Sequence, residues 1–280
     1  MADTRTLDTG TDFLQGEVRD GVAVLRFNRP ERRNALHPAM FDGFANVLPT
    51  LATAKDVGVI LLTGAGGAFC AGGDVRSQSA NAERAAAQPG SGPSREAMVD
   101  DLRRRQAEVS LALHTHPKLT LAALPGAAAG AGLSIALACD MRVASRTAIL
   151  TTAFAKVGFS GDFGGSWFLT QLVGSAKAKE LYLTSDRVNA DEALRLGLVN
   201  QVFDNDGFDE TAFAWARGFA QGPLVAYRFM KENLNRAIGA DLRTCLDAEA
   251  VAMNLARDTD DHREAARAFV EKRPPQFVGH

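Results

Sequence analysis

Two almost wholly apolar runs, residues 57–63 and Leu119–Leu124, constrain this chain most. Runs this short and this continuous read as strands buried on both faces, the pattern of a parallel sheet covered by helices. Each opens onto a stretch of small residues, Ala68-Phe-Cys-Ala-Gly-Gly-Asp74 after the first and Gly126-Ala-Ala-Ala-Gly-Ala-Gly132 after the second. Backbone of this kind can approach a ligand closely and turn its N–H groups toward it. Two N–H groups aimed at one carbonyl oxygen make an oxyanion hole, which stabilises an enolate or a tetrahedral anion. The pair of segments therefore points to chemistry on an activated acyl group.

The remaining pattern fits an α/β core. Residues 17–19 and 22–27 around Asp20-Gly21 read as a hairpin, and 141–144 as a further strand. Pro38 opens a helix with Met40, Phe41, Phe44, Val47, Leu48 and Leu51 at helical spacing. Residues 96–113 read as another helix. Residues 77–93, rich in Ser, Ala, Gln, Gly and Pro, read as a surface loop beside the first glycine segment, either a lid or a plain insertion. After Gly164 helical segments dominate: 166–172, 177–183, 190–196, 207–221, 224–237, 241–257 and 261–270. The expected organisation is a core over residues 1–203 and a helical C-terminal region over 204–280.

Composition excludes several classes. A net charge of -2 gives no electrostatic case for nucleic acid or an anionic membrane. Residues 119–139 carry no charge and are long enough to span a bilayer, but Pro125-Gly126 breaks them and their middle is Ala and Gly. They read as strand, turn and buried helix. Three cysteines, Cys70, Cys139 and Cys245, show neither pairing nor metal spacing, as expected of reduced thiols in a cytoplasmic protein. His114-x-His116 lacks further ligands nearby and reads as two surface histidines, so no metal is expected. The run from Gly64 lacks the third glycine of a dinucleotide fingerprint, where Phe69 stands, and no resident cofactor is expected.

Several strings together resemble the crotonase (enoyl-CoA hydratase/isomerase) superfamily. They are Asn28-Arg-Pro-Glu-Arg-Arg-Asn34-Ala-Leu36, the two glycine segments, Cys139-Asp140, Gly164-Gly165, Ala193-xxx-Gly197-Leu-Val199 and Phe269-Val-Glu-Lys272-Arg. The match runs from about Glu17 to His280. The resemblance implies a spiral of ββα units, a helical C-terminal region that trimerises, often a hexamer of two trimers, and an acyl-CoA thioester ligand. Coenzyme A would then enter as part of the substrate.

By the same resemblance, the oxyanion donors are the N–H groups of Gly73 and Ala131, the latter at the N-terminus of a helix whose dipole favours negative charge. Gly130 belongs to the same segment. Gly72, Asp74, Ala68 and Ala71 are expected to border adenine and pantetheine. Arg32 and Arg33 are placed to meet CoA phosphates, though a solvated turn would look the same. Phe269 and Lys272 resemble a C-terminal pair that reaches a neighbouring subunit's CoA; Phe269 equally suits ordinary helix packing.

The chain departs from the family's hydratases at the catalytic side chains. The two glutamates that hold water there are matched by Ser134 and Phe154, neither a base near neutral pH. A carboxylate appears instead at Asp162, within Gly158-Phe-Ser-Gly-Asp162-Phe-Gly-Gly165. Members with aspartate here include the 1,2-epoxyphenylacetyl-CoA (ring) isomerases, which the strings at 153–158, 164–169 and 273–279 resemble most, some related enoyl-CoA isomerases, and the 4-chlorobenzoyl-CoA dehalogenases. The dehalogenases also need a histidine that His114 and His116 do not match. A lone carboxylate suits a proton shuttle that moves a double bond, with Phe154, Phe163 and Trp167 expected to make the pocket apolar and raise the aspartate pKa. Asp162 also suits an N-cap for the helix that begins near Gly164. The expectation is an acyl-CoA double-bond isomerase. The alternatives are a hydratase using one carboxylate and a non-catalytic acyl-CoA binder.

Overall fold

The apolar runs become the centre of a seven-stranded sheet. In a computed structural model, residues 4–77, 80, 83, 87, 88 and 92–280 are described. Most of the 77–93 stretch, where a lid or insertion is expected, lies outside them. Strand order is β1 (Arg5–Leu7), β2 (Leu14–Arg19), β3 (Val22–Phe27), β4 (Val59–Gly64), β5 (Leu119–Leu124), β7 (Met141–Ser145) and β10 (Gln201–Phe203). The first three pair antiparallel and the rest run parallel from β3 onward. A small second sheet joins β6 (Ala128–Ala129), β8 (Ile149–Thr151) and β9 (Val188–Asn189). The arrangement is a mixed α/β fold, as the resemblance implies.

Alternation explains why the central strands tolerate no polar face. Ile60, Leu62, Ala122 and Leu124 point into one core with Phe27, Phe44 and Phe69. Val59, Leu61, Leu121 and Ala123 point into a second, smaller core against Phe208, Phe213 and Ala216. The first face is covered by α1 (Pro38–Thr53), by α3 (Ala131–Ala138) and by α4 (Gly165–Thr184). The other is covered by α6 (Phe208–Ala220), so this helix beyond residue 203 closes the sheet itself. Each fully buried Leu, Ile or Phe contributes about 1.5–3 kcal/mol by leaving water.

Helix α2 (Arg95–Gln106) continues through a π-helical stretch, Ala107–Leu111, into Ala112–Thr115. The two C-terminal pieces expected at 166–172 and 177–183 form the single α4, kinked where Gly174 adopts φ 75°. Residues 119–139 are strand, turn and buried helix, as expected, and no helix among the described residues is long and apolar enough to cross a membrane. The short β1, β6, β8, β9 and β10 were not legible in the sequence. Two- or three-residue strands carry too little periodicity.

After α5 (Ala190–Arg195), α7 (Leu224–Ala237) is tied to the core by a buried ion pair. Lys231 Nζ lies 2.8 Å from Asp140, with side-chain exposures of 4% and 14%. The ammonium also donates to the Leu113 and Lys118 carbonyls, while Asp140 accepts from the Thr120 N–H and hydroxyl. Burial nevertheless holds the Asp140 carboxyl above its ordinary pKa, with Lys231 opposing it. Removing one partner strands a charge in a dry site. Lys231→Ala should therefore lower unfolding free energy by about 3–5 kcal/mol at neutral pH, measured by urea denaturation. A loss below about 1 kcal/mol, the range of an exposed pair, would contradict this anchoring role.

Candidate active site

The site forms where the two glycine segments meet, beyond the C-terminal ends of β4 and β5. Cys70 pairs with Ala128 as a parallel bridge, and the Cys70 carbonyl accepts from Ala129 N–H at 2.9 Å. Gly72 has φ +84°, and a Cβ there would lie 2.6 Å from the Ala129 oxygen and 3.3 Å from Ala131 N. Only glycine satisfies both the backbone angle and the contact. The outer edge is held by Leu36 N–H donating to Gly72 O at 2.8 Å, and by Ala71 N–H donating to Arg33 O at 3.0 Å.

Asn34 staples this loop from beneath. It is fully buried at φ 57°, and its amide donates to the Ala65 and Ala68 carbonyls at 2.8 Å each. Its oxygen accepts from Arg29 N–H. Arg29 in turn bonds the Ala35 carbonyl and pairs with Asp74 at 3.2 Å. Partial burial pushes the Asp74 carboxyl upward, but hydrogen bonds from Ser77 and Arg29 outweigh it and hold it below the ordinary 3.8. Asn34 stood in the motif without an assigned role, and Arg29 likewise. Their signal was only a polar side chain next to strand ends.

The result is a pair of free donors. Among the described residues, neither Gly73 N–H nor Ala131 N–H has a protein acceptor. Both residues line a cavity of about 280 Å³, with Ala71, Gly130, Phe154 and Asp162. The rest of its wall is mainly apolar: Val75, Leu102, Ala153, Val157 and Phe159. Ala131 opens α3, so the start of a buried helix faces the cavity.

Asp162 reaches the cavity on a loop that turns repeatedly through positive φ, at Gly158 (72°), Gly161 (103°), Phe163 (51°) and Gly164 (75°). Gln106 of α2 fixes the loop by accepting from Phe163 N–H at 2.8 Å. Among the described residues, Asp162 Oδ1 is buried with no hydrogen-bond partner. Burial pushes the carboxyl from its ordinary 3.8 up to about 6. The N-cap reading is not met: Gly164 caps α4, no side chain bonds that cap, and only the Asp162 main-chain oxygen accepts from Gly165 N–H.

Not every expected residue gathers here. Trp167 lines a different cavity beside His114, Phe168 and Leu234, because α4 starts at Gly165 and turns it to the far side. Phe163 is buried away from the cavity and stacked on Phe41 with centroids 5.5 Å apart. Ser134 is buried one turn inside α3, its hydroxyl donating to Gly130 O. Ala68 is buried and serves as an acceptor for Asn34. Gly72 and Asp74 support the loop rather than line the cavity. Arg32 and Arg33 are exposed on the turn before α1. Phe269 and Lys272 lie at the end of α9 (Asp260–Glu271), where Phe269 is 85% exposed. The two histidines are not both on the surface: His116 is buried, with Nε2 3.1 Å from Leu48 O, and burial pushes its pKa down to about 4. No metal-holding cluster of His, Cys, Asp or Glu occurs among the described residues. Missed in the sequence were the wall residues Val75, Leu102, Val157 and Phe159, which come from three separate segments: the end of the first glycine loop, helix α2 and the stretch before Asp162.

Two unpaired main-chain amides and a buried carboxyl therefore line one mainly apolar cavity. A family model for enoyl-CoA hydratase/isomerase matches residues 17–280, and the chain belongs to that family. It is 36% identical over 268 residues to the 1,2-epoxyphenylacetyl-CoA isomerase of Escherichia coli K12, covering 96% of this chain and 99% of that one. It is 33% identical over 258 residues to the short-chain-enoyl-CoA hydratase of Clostridium acetobutylicum, covering 92% and 94%. The crystal structure of an enoyl-CoA hydratase from Polaromonas sp. JS666 superposes with a TM-score of 0.85 at 30% identity, covering 94% and 98%.

The Asp162 carboxyl has a consequence for stability. Its folded pKa is about 6 against an ordinary 3.8. A carboxyl raised on folding favours the native state at low pH and opposes it once pH rises through the folded pKa. Asp162→Asn should therefore be more stable than wild type at pH 8, by about 1–3 kcal/mol at 1.36 kcal/mol per pKa unit. The advantage should shrink toward zero near pH 4. Equal melting curves at pH 8 would show that the carboxylate is solvated.

Proposed function

We propose that the protein is an acyl-CoA double-bond isomerase in which Asp162 shuttles one proton. The observation that carries this is the lone, desolvated carboxylate facing the same cavity as two unpaired main-chain amides. The thioester oxygen accepts from Gly73 and Ala131 N–H, which stabilises the enolate and acidifies the α-proton. Ionised Asp162 removes a proton from Cα and, as the acid, returns it to Cγ; the double bond moves between them and nothing else is consumed. The reverse direction uses the same groups.

An apolar acyl group, aromatic or cyclic in shape, suits the wall of Phe154, Phe159, Val157 and Leu102. Coenzyme A enters as part of the substrate, with Arg32 and Arg33 exposed for its phosphates. Helices α7, α8 (Leu242–Arg257) and α9 expose Leu234, Leu242, Leu246 and Phe269, which supports self-association through the C-terminal region as a trimer or hexamer. The hydratases' pair of glutamates is absent at Ser134 and Phe154, which favours isomerisation over hydration.

The test offers cis-3- and trans-2-enoyl-CoA and follows double-bond migration and hydration separately. Migration without water addition is expected, and Asp162→Asn should lower kcat by about 10³-fold or more, with thioester affinity within a few-fold. Dominant hydration would assign the family's other reaction. Binding without turnover would assign a non-catalytic acyl-CoA binder. Because the base must be ionised, kcat/KM should fall tenfold per pH unit below about 6 and stay level above it. A profile flat from pH 5 to 8 would remove Asp162 from the rate.

A further inference from the structure

Among the described residues, a second buried polar atom beside the cavity lacks a hydrogen-bond partner: the hydroxyl oxygen of Tyr182, at the far end of α4 from the Asp162 loop. The chain makes room for it there. A Cβ on Gly161 would lie 2.8 Å from the Tyr182 ring and 3.1 Å from its hydroxyl, and one on Gly165 would lie 2.6 Å from that hydroxyl. Gly161 and Gly165 bracket Asp162, and both must lack a side chain for the phenol to fit. The ring stacks on Phe154 at 5.8 Å and 22°, and Phe154 lines the acyl cavity. Two unpartnered buried groups, one acceptor and one donor, thus share one corner of the site. A buried unpaired polar atom costs free energy, and mutual pairing removes the cost at both.

We propose that Tyr182 is a positioning residue: its O–H donates a hydrogen bond to the ionised Asp162 carboxylate and holds it against the reacting carbons. The inference rests on Asp162 being the base. Burial and the neighbouring Asp162 charge push the phenol up to about 12, against a weaker opposing pull from the adjacent Ser134 hydroxyl of α3, so it stays a donor across the working range. Charged groups on the surrounding elements are engaged elsewhere. Arg105 of α2 pairs with Asp101 at 2.7 Å, Asp74 of the glycine loop pairs with Arg29, and Lys156 before the Asp162 loop is exposed. From α3 the facing polar group is Ser134, which does not titrate and bonds Gly130 O.

Tyr182→Phe keeps the ring and removes the donor. With cis-3-enoyl-CoA, the acid limb of its kcat/KM profile should move up by about one pH unit, since a hydrogen bond to a charged group is lost. At pH 7, kcat should fall by about tenfold while KM changes less than threefold. Fluorotyrosine at position 182, a stronger donor of almost the same shape, should move the limb down, which a packing role would not do. The same displacement is readable without substrate, from the ¹³C carboxyl titration of Asp162 in ligand-free protein. If the Tyr182→Phe limb and carboxyl titration superimpose on wild type, the inference is wrong. Asp162→Asn run alongside separates the failures. An active Asp162→Asn removes the base and this inference with it. An inactive one beside an unshifted Tyr182→Phe leaves the base and makes Tyr182 packing alone.

Discussion

The close approach of two stretches of backbone governs this molecule. Residues 69–73 and 127–132 run against each other at distances that admit no side chain at Gly72 or Gly132, where a Cβ would overlap the Ala129 or Cys70 carbonyl. That contact fixes where the Gly73 and Ala131 amides sit and leaves both unpaired. It depends on strands β4 and β5 being adjacent and parallel, so that both segments leave the sheet at the same end. The parallel pairing depends on apolar burial of both faces. The pair of unpaired amides is thus a consequence of the core, not an addition to it.

Around this fixed point the polar side chains divide into two kinds. Asn34, Arg29 and Asp74 are satisfied by hydrogen bonds and ion pairs, and they stiffen the loop. Among the described residues, Asp162 and Tyr182 each present a buried atom without a hydrogen-bond partner, and they stand beside the cavity. Pre-organised donors with an unsatisfied, desolvated acceptor nearby are what proton transfer at a carbonyl-activated carbon requires. On the proposed reading, the side chains beside the amides, rather than the amides themselves, decide the reaction.

Much of this was legible in the sequence, for identifiable reasons. Strands β4 and β5 declared themselves because burial on both faces removes every polar residue. The glycine segments declared themselves because close backbone contact selects small residues. Asp162 stood out as a carboxylate in a glycine-rich loop, but its capping role was indistinguishable from a cavity role until its side chain proved unbonded. Trp167 and Phe163 were misplaced because hydrophobicity does not say which way a residue near a helix start turns. Tyr182 could not be found at all: it comes from a later helix, and only the missing Cβ atoms at Gly161 and Gly165 explain why it fits.

The most direct test of the central claim is a crystal structure of the protein with a slow acyl-CoA analogue bound. The account expects the thioester oxygen within about 3 Å of both the Gly73 and Ala131 nitrogens, with an Asp162 oxygen facing Cα and Cγ. A thioester carbonyl bonded to neither amide, or an Asp162 carboxylate turned out of the cavity with the ligand in place, would contradict it.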